Sequence, residues 1–255
     1  MLTEEKIRQF GERVGTLNGV RGVAVTSPDV PAPGEGDVDM MVYCAAVPPA
    51  SERKTLYAGE IPLFSGGRWG EGDRVILEGV EVYVMYFTME QAREDIATIQ
   101  SGARAPKESG GFYITGRLAM YKNLLPIVED GCISELKAMA AEYPEPLRQR
   151  ILNECSAVLR ENEHFERAVV RGEVLLYHAA LEEALDAYLQ ALFALNHVLF
   201  PSRKRTLKFI RSFSVKPDRV EERLLQAIRL GADAETLKES YGIWRALCRD
   251  LPLKE

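Results

Sequence analysis

The stretch Gly36-Asp37-Val38-Asp39-Met40-Met41-Val42-Tyr43 decides how the rest of the chain is read. It follows a loop rich in Pro and Gly and turns abruptly apolar, which marks the start of a β-strand. Side chains alternate faces along a strand. Val38, Met40 and Val42 therefore point one way, and Asp37, Asp39 and Met41 the other. Two acids side by side on a half-buried strand repel each other, and burying either is costly. A divalent cation removes that problem, since magnesium is commonly held by one or two carboxylates together with phosphate oxygens. The alternative is a plain solvated strand entrance.

Upstream, Thr3 is placed to cap a helix whose first turn carries Glu4 and Glu5. Ile7, Phe10, Val14 and Leu17 give that helix an apolar face, and Asn18-Gly19 ends it. Val20 to Thr26 reads as a strand, and Ser27 to Gly36 as a loop. Downstream of the Asp pair, Pro48-Pro49 is a break and Ser65 to Asp73 reads as a loop. Arg74–Leu77 and Val80–Phe87 read as an antiparallel hairpin turning at Glu78-Gly79. Thr88 caps a helix running to about Gln100, and Ser109-Gly110-Gly111 reads as a flexible point. Beyond Asn123 the texture becomes helical: Ile133–Tyr143, Pro146–Glu161, Glu163–Phe200, Arg203–Ser212, Asp218–Leu230 and Ala234–Arg249. In the longest of these, Leu181, Leu185, Tyr188, Leu192, Leu195 and Leu199 recur at the spacing of a bundle seam. Strands first and helices second predict an α+β chain: a mixed sheet with flanking helices over 1–122, then an all-α helical bundle over 123–255.

Composition narrows the function classes. A net charge of -6 argues against general nucleic-acid binding, which needs a basic surface. The four cysteines, Cys44, Cys132, Cys155 and Cys248, are dispersed and predict neither a disulfide framework nor a zinc site. No apolar run is long enough to span a bilayer and the N-terminus lacks a signal-peptide core, so a cytoplasmic protein is expected. Dinucleotide, P-loop and serine-hydrolase glycine motifs are absent from the sequence. His164, His178 and His197 are too dispersed for a metal site. Trp69 fits either a base-stacking or a packing role, and Tyr177, Tyr188 and Phe193 read as packing.

With the strand–loop before Asp37-x-Asp39, the hairpin after it and the helical tail, the chain resembles the nucleotidyltransferase superfamily. The tail is similar to prokaryotic proteins of that family at Glu142-Tyr143-Pro144-Glu145-Pro146-Leu147-Arg148, Leu192-Phe193-Ala194-Leu195-Asn196 and Pro201-Ser202-Arg203-Lys204-Arg205. The resemblance implies transfer of a nucleotide, with AMP from ATP the expected case, onto a hydroxyl of a small molecule or a protein. Asp37 and Asp39 would be both catalytic and magnesium-binding. Ser27 would hold phosphates, and Lys204 and Lys208, from the basic run Arg203 to Arg211, would clamp the triphosphate. Antibiotic nucleotidyltransferases carry a general base on the helical domain, which would be Glu182 here, with Glu183 and Asp186 on the same helix.

Two departures stand out. The family's Gly-Ser pair is Thr26-Ser27, followed by Pro28. The third acid is expected on Val80–Phe87, where Tyr83 stands at the aligned position. Glu81 lies on the same strand face as Tyr83 and would serve as a metal ligand if the register shifts; otherwise it is a solvated hairpin residue. These departures open the rival reading of a catalytically impaired nucleotide-binding or protein-interaction module, including one half of a toxin–antitoxin pair.

Overall fold

The computed structural model describes residues 1–57, 63–67, 70–103, 107 and 113–253. Trp69 and the Ser109–Gly111 point lie outside the described residues. The chain divides into two compact units, Met1–Thr98 with Arg117–Glu142, and Ile99–Gly116 with Tyr143–Glu255. The sequence predicts a single boundary, after residue 122.

The first unit is built on a mixed six-stranded sheet. Its elements are α1 (Glu4–Val14), β1 (Val20–Val25), β2 (Asp37–Cys44), α2 (Ala50–Tyr57), β3 (Leu63–Gly67), β4 (Gly70–Leu77), β5 (Val80–Thr88), α3 (Met89–Gln100), α4 (Ile114–Lys122), β6 (Leu125–Glu129) and α5 (Cys132–Met139). The chain leaves this unit within α3 and returns within α4. The strand order is β3-β4-β5-β2-β1-β6. β2 and β5 are parallel, and the other neighbouring pairs are antiparallel.

Alternation splits the sheet residues into two faces. Val38, Met40, Val42, Val82, Val84 and Tyr86 pack in one core with Ile7, Phe10 and Val14 of α1. Helix α1 starts on Thr3, whose hydroxyl accepts from the Lys6 N–H at 3.3 Å. On the same face the buried Asp73 accepts from the Tyr57 hydroxyl at 3.1 Å and pairs with Arg53 at 3.2 Å. On the opposite face, Tyr43 stacks with Phe87 and lies against Tyr121 of α4. α5 sits so close over β1 that a Cβ on Gly22 would lie 2.6 Å from Cys132 Sγ.

The second unit is helical: α6 (Glu145–Arg160), α7 (Glu163–Arg171), α8 (Val174–Leu195), α9 (Thr206–Arg211), α10 (Val220–Leu230) and α11 (Leu237–Arg249). Leu181, Tyr188, Leu192 and Leu199 of the expected seam are buried in its core, with Tyr177 and Phe193. Leu185 and Leu195 pack against that core from its margin.

Four local readings are corrected. The expected helix Glu163–Phe200 is two helices, because Gly172 takes a left-handed conformation (φ 66°) that caps α7. The expected helix Arg203–Ser212 shrinks to six residues, since Arg205 at φ 60° keeps Lys204 out of it. Leu125–Glu129 is a strand inside the stretch that read as helical. Of the residues read as a loop over Ser65–Asp73, Ser65–Gly67 belong to β3 and Gly70–Asp73 to β4.

Candidate functional site

The tight turn at Glu78-Gly79 has both residues at positive φ (52° and 84°), the geometry that suits a two-residue hairpin. It fixes the β4–β5 register, so that Ile76 lies across from Glu81 and Arg74 across from Tyr83. The parallel β2–β5 ladder adds the third strand: Asp37 pairs with Glu81, and Asp39 with Tyr83. One face of three adjacent strands therefore carries Asp37, Asp39, Glu81, Tyr83 and Arg74 together. No register shift is needed to bring Glu81 beside Asp37. Asp37 is exposed, and Asp39, Glu81, Tyr83 and Arg74 are partly exposed. Further along the same face, Met41 and Tyr43 are buried.

The loop after β1 borders this end of the sheet. The Thr26 N–H donates to the Asp39 carbonyl at 3.3 Å, which places Thr26-Ser27 next to the Asp pair. The Ser27 hydroxyl accepts from the Asp29 N–H at 3.1 Å, forming a local turn.

Glu81 is already engaged. It accepts from the Tyr83 hydroxyl at 2.6 Å and lies 3.4 Å from the Arg74 guanidinium. The bond to Glu81, followed by partial burial, holds the Tyr83 phenol above its ordinary range, so Tyr83 acts there as a neutral donor. Among the described residues, no three His, Cys, Asp or Glu side chains form a metal-holding group. Arg74 is the member of this patch that the sequence reading passed over. Counting back from the two-residue turn is enough to find it, because the turn dictates every cross-strand partner.

The helical candidates sit in the second unit. Glu182 pairs with Arg203 at 2.6 Å. Asp186, nearly buried, accepts from the Tyr113 hydroxyl at 2.6 Å, pairs with Arg203 at 2.5 Å and bonds Lys107. Arg203 is thus turned toward α8 by two carboxylates. Lys204 and Lys208 are exposed, Lys204 before α9 and Lys208 within it. Arg211 pairs with Glu221 at 3.0 Å.

The fold is similar to that of a nucleotidyltransferase-like protein from Exiguobacterium sibiricum 255-15, whose crystal structure was determined at 1.90 Å resolution. The TM-score is 0.50 at 12% sequence identity, over 96% of this chain and 74% of that one. The fold is accordingly nucleotidyltransferase-like, as the sequence led us to expect. Residues 122–205 match the model of a domain of unknown function, DUF4037. No curated protein matches the chain. Among the described residues, no helix is long and apolar enough to cross a membrane.

Proposed function

We propose that the polar end of the sheet binds a nucleoside triphosphate with magnesium and that the protein transfers a nucleotide, AMP from ATP in the first instance, to a hydroxyl of a small molecule or a protein. The observation that carries this reading is the β2–β5 register, which sets Asp37 beside Glu81 and Asp39 beside Tyr83 on one partly open face. The donor set suits one hard cation. Asp37 and Asp39 share a strand face, and phosphate oxygens would complete the shell. It suits a second cation poorly, because Glu81 already carries Tyr83 and Arg74. When bound, magnesium would neutralise charge on the phosphates.

The chain's own residues divide the remaining work. Asp37 and Asp39 anchor the metal–triphosphate complex. Ser27 and the turn after it contact the outer phosphates, with Thr26 replacing a glycine that would allow closer approach. In the reaction the acceptor hydroxyl oxygen bonds to the α-phosphorus and its proton passes to water, the bond to the bridging oxygen of the β-phosphate breaks, and pyrophosphate leaves. Lys204 and Lys208, expected from the resemblance to clamp the triphosphate, are exposed cations of the helical unit. Glu182, already holding Arg203, is not required for nucleotide binding. Calorimetric titration with ATP and magnesium tests the reading: native protein should bind and Asp37→Ala should not. Equal magnesium-dependent affinity in the two would remove it.

A second reading keeps the binding and drops the catalysis. It is favoured by Tyr83 opposite Asp39, where the family has an acid, and by the engagement of Glu81. Pyrophosphate release with a broad acceptor pool separates the two, since Asp37-dependent turnover belongs only to the enzyme.

A further inference from the structure

In the helical unit, the last turns of α6 and α11 border a cavity of about 500 Å³. Its wall carries three arginines, Arg160 on α6 and Arg245 and Arg249 on α11. Leu159, Leu251 and Leu253 give it an apolar side. A second cavity of about 390 Å³ adjoins it, since Ser156, Arg160 and Leu253 line both.

Several arginines of this unit are matched by carboxylates: Arg211 by Glu221 at 3.0 Å, Arg223 by Asp250 at 2.7 Å, and Arg148, in the second cavity, by Glu145 at 2.9 Å. The three around the first cavity are not. Among the described residues, no carboxylate pairs with Arg160, Arg245 or Arg249, and none lines either cavity. Arg245 lies over the Tyr241 ring, 5.9 Å from its centroid, while Arg160 and Arg249 are exposed. A cation in the last turn of a helix offsets the dipole there, which accounts for Arg160 and Arg249 one at a time. It does not account for three like charges around one space, two of them a single turn apart on α11, where like charges repel.

Ser156 is an independent observation. It is 8% exposed, and its hydroxyl has no hydrogen-bond partner among the described residues. A buried hydroxyl within a helix commonly donates to the carbonyl one turn back, and this one does not. Its oxygen is not among the buried side-chain atoms sealed from the surface, and the surface it keeps opens on the two cavities. A free hydroxyl donor and three unopposed guanidiniums call for the same partner, an anion rich in acceptors. A single carboxylate would offset one of the three charges. A phosphate monoester places about two negative charges and three acceptor oxygens on one small group, and guanidinium forks match it bidentately. The leucines suit an apolar body attached to that group.

We propose that this cavity binds an organic phosphate monoester with an apolar body, its phosphate held by Arg160, Arg245 and Arg249 and by the Ser156 hydroxyl. The site lies wholly within the helical unit, needs no metal, and does not depend on the nucleotide reading of the sheet.

Phenyl phosphate is the probe, titrated into the full chain by calorimetry at low salt in magnesium-free buffer, with benzoate, inorganic phosphate and phenol as comparison ligands. Phenyl phosphate should bind saturably at one site, at least tenfold more tightly than benzoate or inorganic phosphate, and phenol should not bind. Amide chemical shifts should move around Ser156, Arg245 and Cys248. Arg245→Gln and Arg249→Gln should each weaken the probe at least fivefold and Ser156→Ala at least threefold. Arg229→Gln, which removes the same charge outside both cavities, should leave it unchanged. Absence of saturable binding at millimolar phenyl phosphate overturns the proposal, as does equal affinity for benzoate or for inorganic phosphate. Equal losses in Arg229→Gln and Arg249→Gln overturn it too, since net charge alone would then explain them. Arg249 is exposed and tolerates substitution, so that comparison decides the matter even if the Ser156 variant fails to fold.

Discussion

Glu81 lies directly across the parallel ladder from Asp37, yet its carboxylate is turned to its own strand neighbour, Tyr83, at 2.6 Å. The patch thus has three carboxylates on two adjacent strands, one of them held by a neutral phenol and flanked by Arg74. Tyr83 sits where a third acid would pair with Asp39, and it also occupies the acid that is present.

Replacing that phenol tests its influence directly. Tyr83→Asp puts a carboxylate opposite Asp39 and releases Glu81. With magnesium present, nucleotide affinity should rise about tenfold, or ~1.4 kcal/mol. Without magnesium it should fall, because the added charge repels the triphosphate. Titrations in magnesium and in chelator measure both arms. Loss of affinity in both would show that Tyr83 itself supports the nucleotide.

A second prediction concerns the ion pair beneath α4. Arg117 is 7% exposed and Asp95 10%, with 2.7 Å between them, and the Tyr121 hydroxyl also donates to Asp95. Removing the guanidinium strands a buried carboxylate. Arg117→Met should therefore cost about 3–5 kcal/mol. Adding Asp95→Asn should recover part of that loss, because the stranded charge is then gone. Urea unfolding of the single and double variants gives the numbers.

Acid should weaken the tether between α1 and the β4–β5 turn. The Glu78 carboxyl is lowered from 4.5 to about 2, chiefly because Lys6 donates to it, with the terminal amine adding a second donor. A lowered folded value means that the unfolded chain takes up the proton first as pH falls. The stabilisation is therefore complete above about 4.5 and disappears as pH drops toward about 2. The pair is exposed and salt will shrink its contribution. The difference in Tm between native protein and Glu78→Gln should be present at pH 7 and close by pH 2. A gap that does not change with pH would mean that the charge is not its source.

The cysteines should be unreactive in the folded protein. Burial pushes the thiols of Cys44, Cys155 and Cys248 up to about 12, and raises Cys132 as well. At pH 8 a thiol of that kind is roughly one part in ten thousand thiolate, the form that alkylates. Iodoacetamide should therefore modify the native chain very slowly and all four cysteines promptly in guanidinium, as mass spectrometry would count.

Much of the sheet was legible because its signals are local. The Asp-x-Asp alternation, the Glu78-Gly79 turn and the Thr88 cap each act within a few residues; Thr88 and Gln91 indeed exchange N–H bonds at 2.9 and 3.1 Å. The strands that escaped notice, β3 and β6, are the two edges of the sheet. An edge tolerates what an interior strand does not, here Gly66-Gly67 in one and Pro126 in the other, and those residues read as loop. Helix α4 escaped for a related reason: it opens Ile114-Thr115-Gly116, a β-branched pair followed by glycine, which is poor helix sequence stabilised by packing. In the site, Asp37 and Asp39 announce themselves by sharing a face. The capture of Arg203 by Glu182 and Asp186 was not legible, because it joins different elements of the helical unit and has no short-range signal.

The parallel pairing of β2 with β5 has a temporal consequence. Parallel neighbours cannot be joined by a hairpin, and here α2, β3 and β4 intervene between them. Asp37 can emerge from a ribosome and fold against β1 well before Glu81 and Tyr83 have been synthesised. The carboxylate patch is thus assembled only after a long loop has closed, among the slower classes of contact a chain can make. A nascent chain halted short of Val80 would carry both aspartates and still lack the site.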